Sequence, residues 1–158
     1  MSTPQQSRAG SSSAWKDVPT DSVDVGGTKF VYRQLGTDTG VPVIFLNHLA
    51  AELDRWDPRV VDGIAARHRV IAVDNRGIGA SEGSTPNSVA AMARDAVAYI
   101  RALAFEQVDL LGFSLGGLDA RNAATIVAGV TLSAPILRMM PYKIIADLNE
   151  SVPALCAS

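Results

Sequence analysis

The residues with the clearest chemical potential in this sequence form the pentapeptide Gly112-Phe113-Ser114-Leu115-Gly116. A G-x-S-x-G pattern is typical of a nucleophile elbow, a sharp turn between a strand and a helix that exposes the serine hydroxyl. The glycines leave room for the tight turn, and a helix that begins there places partial positive charge where an oxyanion would form. Ser114 is therefore the candidate nucleophile for acyl transfer. The alternative is a glycine-rich turn with an ordinary serine.

The elements around this pentapeptide alternate between strand and helix patterns. Apolar runs predict strands buried on both faces at residues 41–46, 69–73 and 108–111. Apolar residues at helical spacing predict helices over residues 56–66, with Pro58 in the first turn, and 88–103, capped by Asn87 or Ser88. A hairpin on the Gly26-Gly27 turn precedes them. This order predicts an α/β fold, with a mostly parallel sheet and helices on both faces.

Three loops of the predicted sheet contain polar residues. They are Asn47 to Ala51, Asp74 to Ser81, and the turn at Ser114. Because right-handed crossovers bring the carboxyl ends of parallel strands to the same edge of a sheet, we expect these loops to converge on one cleft.

Composition limits the partners and the location of the protein. The chain of 158 residues has a net charge of −2, which gives no electrostatic reason to expect nucleic acid or an anionic membrane as a partner. No apolar run is long enough to span a membrane, and the N-terminus has no apolar signal region. Residues 1–17 predict a disordered tail, because they are rich in Ser, Gln and Gly. The single cysteine, Cys156, indicates a reducing, cytoplasmic location.

No pattern in the sequence calls for a metal or an organic cofactor. Zinc-ligand spacing and a Walker lysine are both missing. The glycines at 112, 116 and 117 do not have the spacing of a dinucleotide-binding fingerprint. We therefore expect no cofactor.

Four features in this order resemble the α/β-hydrolase fold superfamily, in the branch of esterases, lyases and cofactor-free haloperoxidases. They are the N-terminal hairpin, FLNHLAAELDRWDP at residues 45–58, DNRGIGAS at 74–81 and GFSLGG at 112–117. The resemblance covers roughly Val23 to Gly117 and implies a serine hydrolase with a small ester or related acyl substrate. Haloperoxidases of this kind use the same serine triad. Dehalogenases and epoxide hydrolases are disfavoured, since those relatives place Asp where Ser114 stands.

The resemblance also implies roles for individual residues. Backbone N–H groups of Leu49 and Leu115 would form the oxyanion hole. The residues that would shape the site around them are Asn47, His48, Gly112, Gly116 and Gly117.

Both histidines precede Ser114, whereas the triad of this fold follows the order Ser, acid, His. We therefore expect His48 to hydrogen-bond its loop rather than act as the base, and His68 to be a solvated surface residue. Asp74 and Arg76 are expected to fix their own turn through an ion pair and hydrogen bonds. Trp56 is expected to be a core anchor rather than a substrate contact.

The sequence departs from the family pattern after Gly117. Members normally continue with a helix, a strand, a lid and two further strands that carry the acid and the histidine. Here 44 residues follow Ser114, with Asp119, Asp147 and Glu150 as acids and no histidine. Residues 128–132 predict one more strand and 137–148 a short helix.

We therefore interpret residues 18–135 as the N-terminal part of an incomplete α/β-hydrolase domain and 136–158 as a divergent segment. A truncation, a frameshift and a splicing event all remain open as its origin. The expected consequences are a weak or inactive hydrolase and an open sheet edge that favours self-association. The alternative function is that of an inactive relative that binds a small molecule or a partner.

Overall fold

The computed structural model describes residues 14–48, 50–113, 115–116 and 131–132. Its described residues form a six-stranded sheet in the order β1-β2-β4-β3-β5-β6. The strands are β1 Asp21–Val25, β2 Thr28–Leu35, β3 Val43–Leu46, β4 Val70–Val73, β5 Gln107–Gly112 and β6 Thr131–Leu132. The two α-helices are α1 Pro58–Ala65 and α2 Val89–Ala102. The predicted α/β fold with a mostly parallel sheet is therefore confirmed.

The sheet is antiparallel only at its N-terminal side. β1 pairs with β2 through the hairpin at Gly26 and Gly27, which both have positive φ, and β2 pairs antiparallel with β4. β3 pairs in parallel with both β4 and β5, and β6 continues the parallel arrangement beside β5. Since β3, β4 and β5 run in the same direction, the loops that follow them lie at one edge of the sheet.

Alternate residues of the central strands enter two separate cores, one on each face of the sheet. On the α2 face, Ile44, Ile71 and Leu110 pack with the buried side of the helix. On the α1 face, Phe45 and Ala72 pack against Trp56 and the helix. This alternation is the physical reason that the strands have continuous apolar sequences. It confirms the helices on both faces and the expected core position of Trp56, whose ring lies 4.7 Å from that of Phe45.

Both helices begin at side-chain caps. Asp57 caps α1 by accepting a hydrogen bond from the Arg59 N–H at 2.9 Å, and Pro58 is the first helical residue. The helix therefore starts later than the predicted residue 56, because Leu53–Arg55 forms a separate 3₁₀ turn. Ser88 caps α2 by accepting from the Ala91 N–H at 3.2 Å. No helix among the described residues has the length and apolar character needed to cross a membrane.

The predicted disordered tail over residues 1–17 is wrong at its C-terminal end. Residues 1–13 lie outside the described residues, but Trp15–Asp17 forms a 3₁₀ turn in which Trp15 is only 2% exposed. The backbone N–H of Trp15 donates to the Asp62 carboxylate of α1 at 2.8 Å, and the Arg33 guanidinium lies 5.5 Å from the indole ring. Composition favoured a tail because a single large apolar residue among polar neighbours gives no local pattern.

Replacing Trp15 by Ala tests this anchor. Because the indole is buried between α1 and the sheet, we expect the free energy of unfolding to fall by about 3 kcal/mol. Lys16→Ala is the matched control, since Lys16 is exposed in the same turn and its loss should change stability by less than about 0.5 kcal/mol. Urea unfolding of both variants gives the comparison. Equal stability of the two variants would show that Trp15 is not an anchor.

Candidate active site

The turn that contains Ser114 begins where β5 ends. Gly112 pairs with Leu46 of β3, and the Phe113 N–H donates to the Leu46 carbonyl at 3.1 Å. The backbone is already helical at residues 115–116, where the Gly116 N–H donates to the Phe113 carbonyl at 3.0 Å. The strand and the helix start therefore flank the turn as the elbow requires. Ser114 and Gly117 lie outside the described residues, so the direction of the serine hydroxyl stays a prediction.

Gly116 shows how tightly this turn is docked on the neighbouring strand. A Cβ atom placed on Gly116 would overlap the carbonyl oxygen of Leu46 and would lie 2.7 Å from that of Asn47. Both obstacles are backbone atoms that cannot rotate away. Glycine at position 116 is thus required by the close approach of the helix start to the end of β3.

The buried side chain of Asn47 holds the loop after β3 through hydrogen bonds to its backbone. This residue is 3% exposed, and its amide nitrogen donates to the carbonyls of Ala51 at 3.1 Å and Glu52 at 3.0 Å. Its amide oxygen accepts the His48 N–H at 2.9 Å. One side chain therefore satisfies three backbone groups around the turn that contains Leu49. Leu49 itself lies outside the described residues, and its role as an oxyanion donor stays a prediction.

Ala50 adopts a strained backbone conformation in the same loop. Its φ is 56°, a left-handed value that residues with a Cβ rarely adopt. The Ala51 N–H donates to the His48 carbonyl at 3.2 Å, which closes a turn with residues 49 and 50 at its centre. Strain of this kind persists only where surrounding contacts hold it, and it is common at functional sites.

His48 joins this loop to the elbow. Its ring packs edge-on against the ring of Phe113, with centroids 5.5 Å apart and an interplanar angle of 80°. Phe113 directly precedes Ser114, and His48 directly precedes Leu49. The described contacts of His48 therefore hold two loops together, as a shaping residue would. His68, in contrast, is exposed at the junction between α1 and β4, as the sequence predicted.

Asp74 lies at the carboxyl end of β4 and is only 4% exposed. Its carboxylate accepts the Leu53 N–H at 2.7 Å and, at the longer distance of 3.4 Å, the Ala80 N–H. Burial raises the pKa of Asp74, while these two backbone hydrogen bonds act in the opposite direction. Among the described residues no lysine or arginine forms an ion pair with this carboxyl.

The ion pair predicted for this loop is made by Arg76 with a residue of α2. The Arg76 guanidinium donates to both carboxylate oxygens of Asp95, at 2.8 and 2.6 Å, and to the Thr28 hydroxyl at 3.0 Å. It also lies 5.2 Å from the ring of Phe30. This contact fixes the loop to the helix and the hairpin. The sequence gave no signal for Asp95 as the partner, because the pair depends on how α2 crosses the sheet.

An open cleft of about 340 Å³ lies beside β2 and β4, and the sequence predicted only the part of it that the loop after β4 forms. Its lining residues are Thr20, Val31, Arg33, Glu52, Leu53, Asp54, Asp74, Gly79 and Ala80. Arg33 crosses this cleft and donates to Asp54 at 2.6 Å and to Thr20 at 3.0 Å. None of the cleft's lining residues belongs to the described part of the elbow, residues 112–113 and 115–116. Within the described part of the chain, no group of three or more potential ligands could hold a metal ion.

Comparisons with known proteins agree with this geometry. A sequence model described as the alpha/beta hydrolase fold matches residues 41–153. This match extends past residue 135, where the sequence analysis placed the start of a divergent segment.

Individual relatives each match part of the chain. A non-heme chloroperoxidase of Streptomyces lividans is 32% identical over 117 residues, which are 73% of this chain and 42% of the relative. The 3-oxoadipate enol-lactonase 1 of Acinetobacter baylyi is 28% identical over 85 residues, 54% of this chain and 32% of the lactonase. A solved alpha/beta hydrolase fold protein from Chitinophaga pinensis matches with a TM-score of 0.72 and 39% identity, over 75% of this chain and 43% of that protein. The chain thus spans less than half the length of each of these relatives.

The close approach at Gly116 can be tested with a pair of glycine variants. Gly116→Ala should lower the free energy of unfolding by about 3 kcal/mol, because a Cβ there meets backbone atoms that cannot move aside. Gly63→Ala is the control, since Gly63 is an exposed residue of α1 with nothing within 4 Å of an added Cβ. It should raise stability by up to about 1 kcal/mol through helix propensity. Thermal and urea unfolding of both variants measure these changes. An unchanged free energy of unfolding in Gly116→Ala would contradict the close approach of residue 116 to β3.

The raised pKa of Asp74 predicts a pH-dependent stability difference. A carboxyl with a higher pKa in the folded than in the unfolded chain binds more protons when folded, so its contribution to stability increases as the pH falls. We expect wild type to gain stability relative to Asp74→Asn from pH 7 down toward the ordinary pKa of 3.8. Urea unfolding of wild type and Asp74→Asn at several pH values measures this difference. The contributions of all other titrating groups cancel, because both proteins contain them. A constant difference, or the opposite slope, would show that burial does not raise this pKa.

Proposed function

Because the chain belongs to the alpha/beta hydrolase fold family, we propose that its site serves serine-dependent acyl transfer on a small ester or related acyl compound. The observation that carries this proposal is the position of the G-x-S-x-G pentapeptide. It begins at the last residue of β5, and Gly116 is pressed against the end of β3. Ser114, which stands between Gly112 and Gly116 in the sequence, is the proposed nucleophile.

The proposed reaction has two steps. The Ser114 Oγ forms a bond to the carbonyl carbon, its proton passes to a base, and the alcohol leaves as the ester C–O bond breaks. The backbone N–H groups of Leu49 and Leu115 bind the oxyanion in the tetrahedral intermediate. Water then attacks the acyl-serine and releases the acid. The organised loop around Asn47 supports this assignment, because hydrogen bonds fix His48 and Ala51 on either side of the two residues at the turn.

The base is the part that this chain does not supply in the family's order. No histidine follows Ser114 among its 158 residues. Removing the histidine of a serine triad lowers turnover by about a million-fold, while the oxyanion hole and binding alone retain about 10³- to 10⁴-fold over water. We therefore propose weak turnover, or none, for the chain in isolation.

The names of the relatives support an ester substrate without identifying it. An enol-lactone is a cyclic ester, and the Acinetobacter baylyi relative is a lactonase of such a compound by name. One relative is a chloroperoxidase by name. Formation of a peracid by the same serine is therefore a related reaction that we propose for this site. A cytoplasmic location and self-association through a sheet edge stay predictions from the sequence.

The missing histidine also favours a second candidate, an inactive family member that binds a small molecule. In that case the fold would keep its pocket without the chemistry. Saturable ligand binding that Ser114→Ala leaves intact, together with no acylation of Ser114, would support this second function over the first.

Chemical rescue tests the nucleophile directly. We expect Ser114 of the wild-type chain to be acetylated by p-nitrophenyl acetate at a rate that increases with added imidazole, because imidazole can accept the serine proton. Mass spectrometry of the peptide that contains Ser114 detects the acetyl group, and p-nitrophenolate release gives the rate.

Two variants complete the experiment. Ser114→Ala should show only the background reaction of imidazole with the ester, and Ser84→Ala, which changes an exposed loop serine, should behave like wild type. If the wild type and Ser114→Ala release p-nitrophenolate equally at every imidazole concentration, Ser114 is not a nucleophile.

A further inference from the structure

We propose that Asp74 is a positioning residue for the oxyanion loop, defined as residues 47–53, and that it acts by holding the Leu53 N–H. The proposal rests on the proposed function, since the value of a fixed loop depends on Leu49 donating to an oxyanion. It assigns to Asp74 a task in a neighbouring loop, beyond fixing its own turn.

The oxyanion loop needs an anchor at each end. At its start, Asn47 follows β3 directly and bonds the loop from inside. At its end, the Leu53 N–H donates to the Asp74 carboxylate at 2.7 Å. Between them Ala50 keeps a left-handed φ of 56°. A strained turn of this kind relaxes when either end is released, and the Leu49 peptide would move with it.

Asp74 is itself held rigidly. Its backbone N–H donates to the Val31 carbonyl at 3.0 Å, and its carbonyl accepts the Ser81 hydroxyl at 2.7 Å. Ser81 in turn accepts the Val31 N–H at 3.0 Å. On the other side, a Cβ on Gly79 would overlap the carboxylate, so Gly79 packs directly against it. These contacts connect the loop after β4 to β2. They also leave the Asp74 carboxylate little freedom to rotate.

Ionising the buried carboxyl of Asp74 costs free energy. A side chain that only had to accept the Leu53 N–H would not need to carry a charge. A neutral side chain could accept the same N–H without a buried charge. Two charged groups act on the carboxyl: Glu52 raises its pKa, and Arg33, which is paired with Asp54, lowers it. A charged acceptor makes a shorter and roughly twice stronger hydrogen bond than a neutral one, and the distance to Leu53 agrees with this. Carboxyls whose pKa is perturbed by burial are common at functional sites, and Asp74 lies at the carboxyl end of β4 beside the oxyanion loop.

The first test measures local motion and needs no activity. Amide hydrogen exchange of the full chain should show at least tenfold faster exchange in residues 47–53 of Asp74→Asn, with α2 unchanged. Asp95→Asn is the matched control, because Asp95 is a partly buried aspartate that contacts Arg76 and not the oxyanion loop. It should leave exchange in residues 47–53 unchanged. An unchanged loop in Asp74→Asn, or equally faster exchange throughout the chain, would overturn the proposal.

The wild type supplies a second measurement if Asp74→Asn does not fold. In the wild type, the Leu53 amide should be protected from exchange to about the same degree as the amides inside α2, because it donates at 2.7 Å to a buried carboxylate that is itself fixed. A Leu53 amide that exchanges as fast as an unstructured amide would contradict the anchor.

The last test connects the anchor to chemistry. With imidazole and p-nitrophenyl acetate, Asp74→Asn should acetylate Ser114 at least tenfold more slowly than wild type, with an unchanged half-saturating ester concentration, because the oxyanion donor acts in the transition state. A faster-exchanging loop with a normal acetylation rate would overturn the positioning role. If wild type and Ser114→Ala react alike, the proposed function fails, while the exchange experiment still decides whether Asp74 anchors the loop.

Discussion

The parallel pairing of β3 with β5 is the constraint on which the candidate site depends. It brings the residues after both strands to the same edge, with the Phe113 N–H on the Leu46 carbonyl at 3.1 Å. The same carbonyl excludes a side chain at position 116, so the helix start approaches the strand to backbone contact. The elbow and the oxyanion loop are thus fixed relative to one another by main-chain atoms. Side chains such as His48 and Phe113 reinforce an arrangement that the strand pairing has already set.

Around this backbone frame, buried polar side chains hold the loops in place. Asn47 bonds three backbone groups of one loop, and Asp74 links that loop to the next one. Arg76 ties the second loop to α2 through Asp95. Loops at the carboxyl edge of a parallel sheet have few apolar contacts of their own, so hydrogen bonds from buried groups are the available means of fixing them. The cost is seen at Asp74, where burial opposes ionisation.

The alpha/beta hydrolase family to which the chain belongs is the basis for the proposed reaction. The sequence after Ser114 restricts which groups of this chain could take part in it. The described residues fix the backbone on both sides of the proposed nucleophile and before the proposed oxyanion donor. The acid and the base of the family are expected after the elbow, where this sequence has no histidine. The chain also spans less than half the length of its relatives. The proposed reaction therefore needs a base that no histidine after Ser114 supplies.

The sequence by itself determined the order and the type of the elements. Continuous apolar runs identified β3, β4 and β5, and the sequence placed the cap of α2 at Asn87 or Ser88, of which Ser88 is the cap in the structure. These signals are local, because each depends on residues a few positions apart. The G-x-S-x-G pattern is local in the same sense, and it placed the elbow at the end of a strand before the topology was known.

Only the tertiary structure decided which distant groups meet. In the folded chain Trp15 packs against α1, and Arg76 pairs with Asp95. The Leu53 N–H donates to Asp74. The tertiary structure also created the cleft crossed by Arg33. Such contacts depend on how helices cross the sheet and how loops fold back over its edge, and neither is encoded in the spacing of neighbouring residues. A single buried tryptophan or aspartate has no periodicity to reveal it, so its partner becomes visible only when the chain is folded.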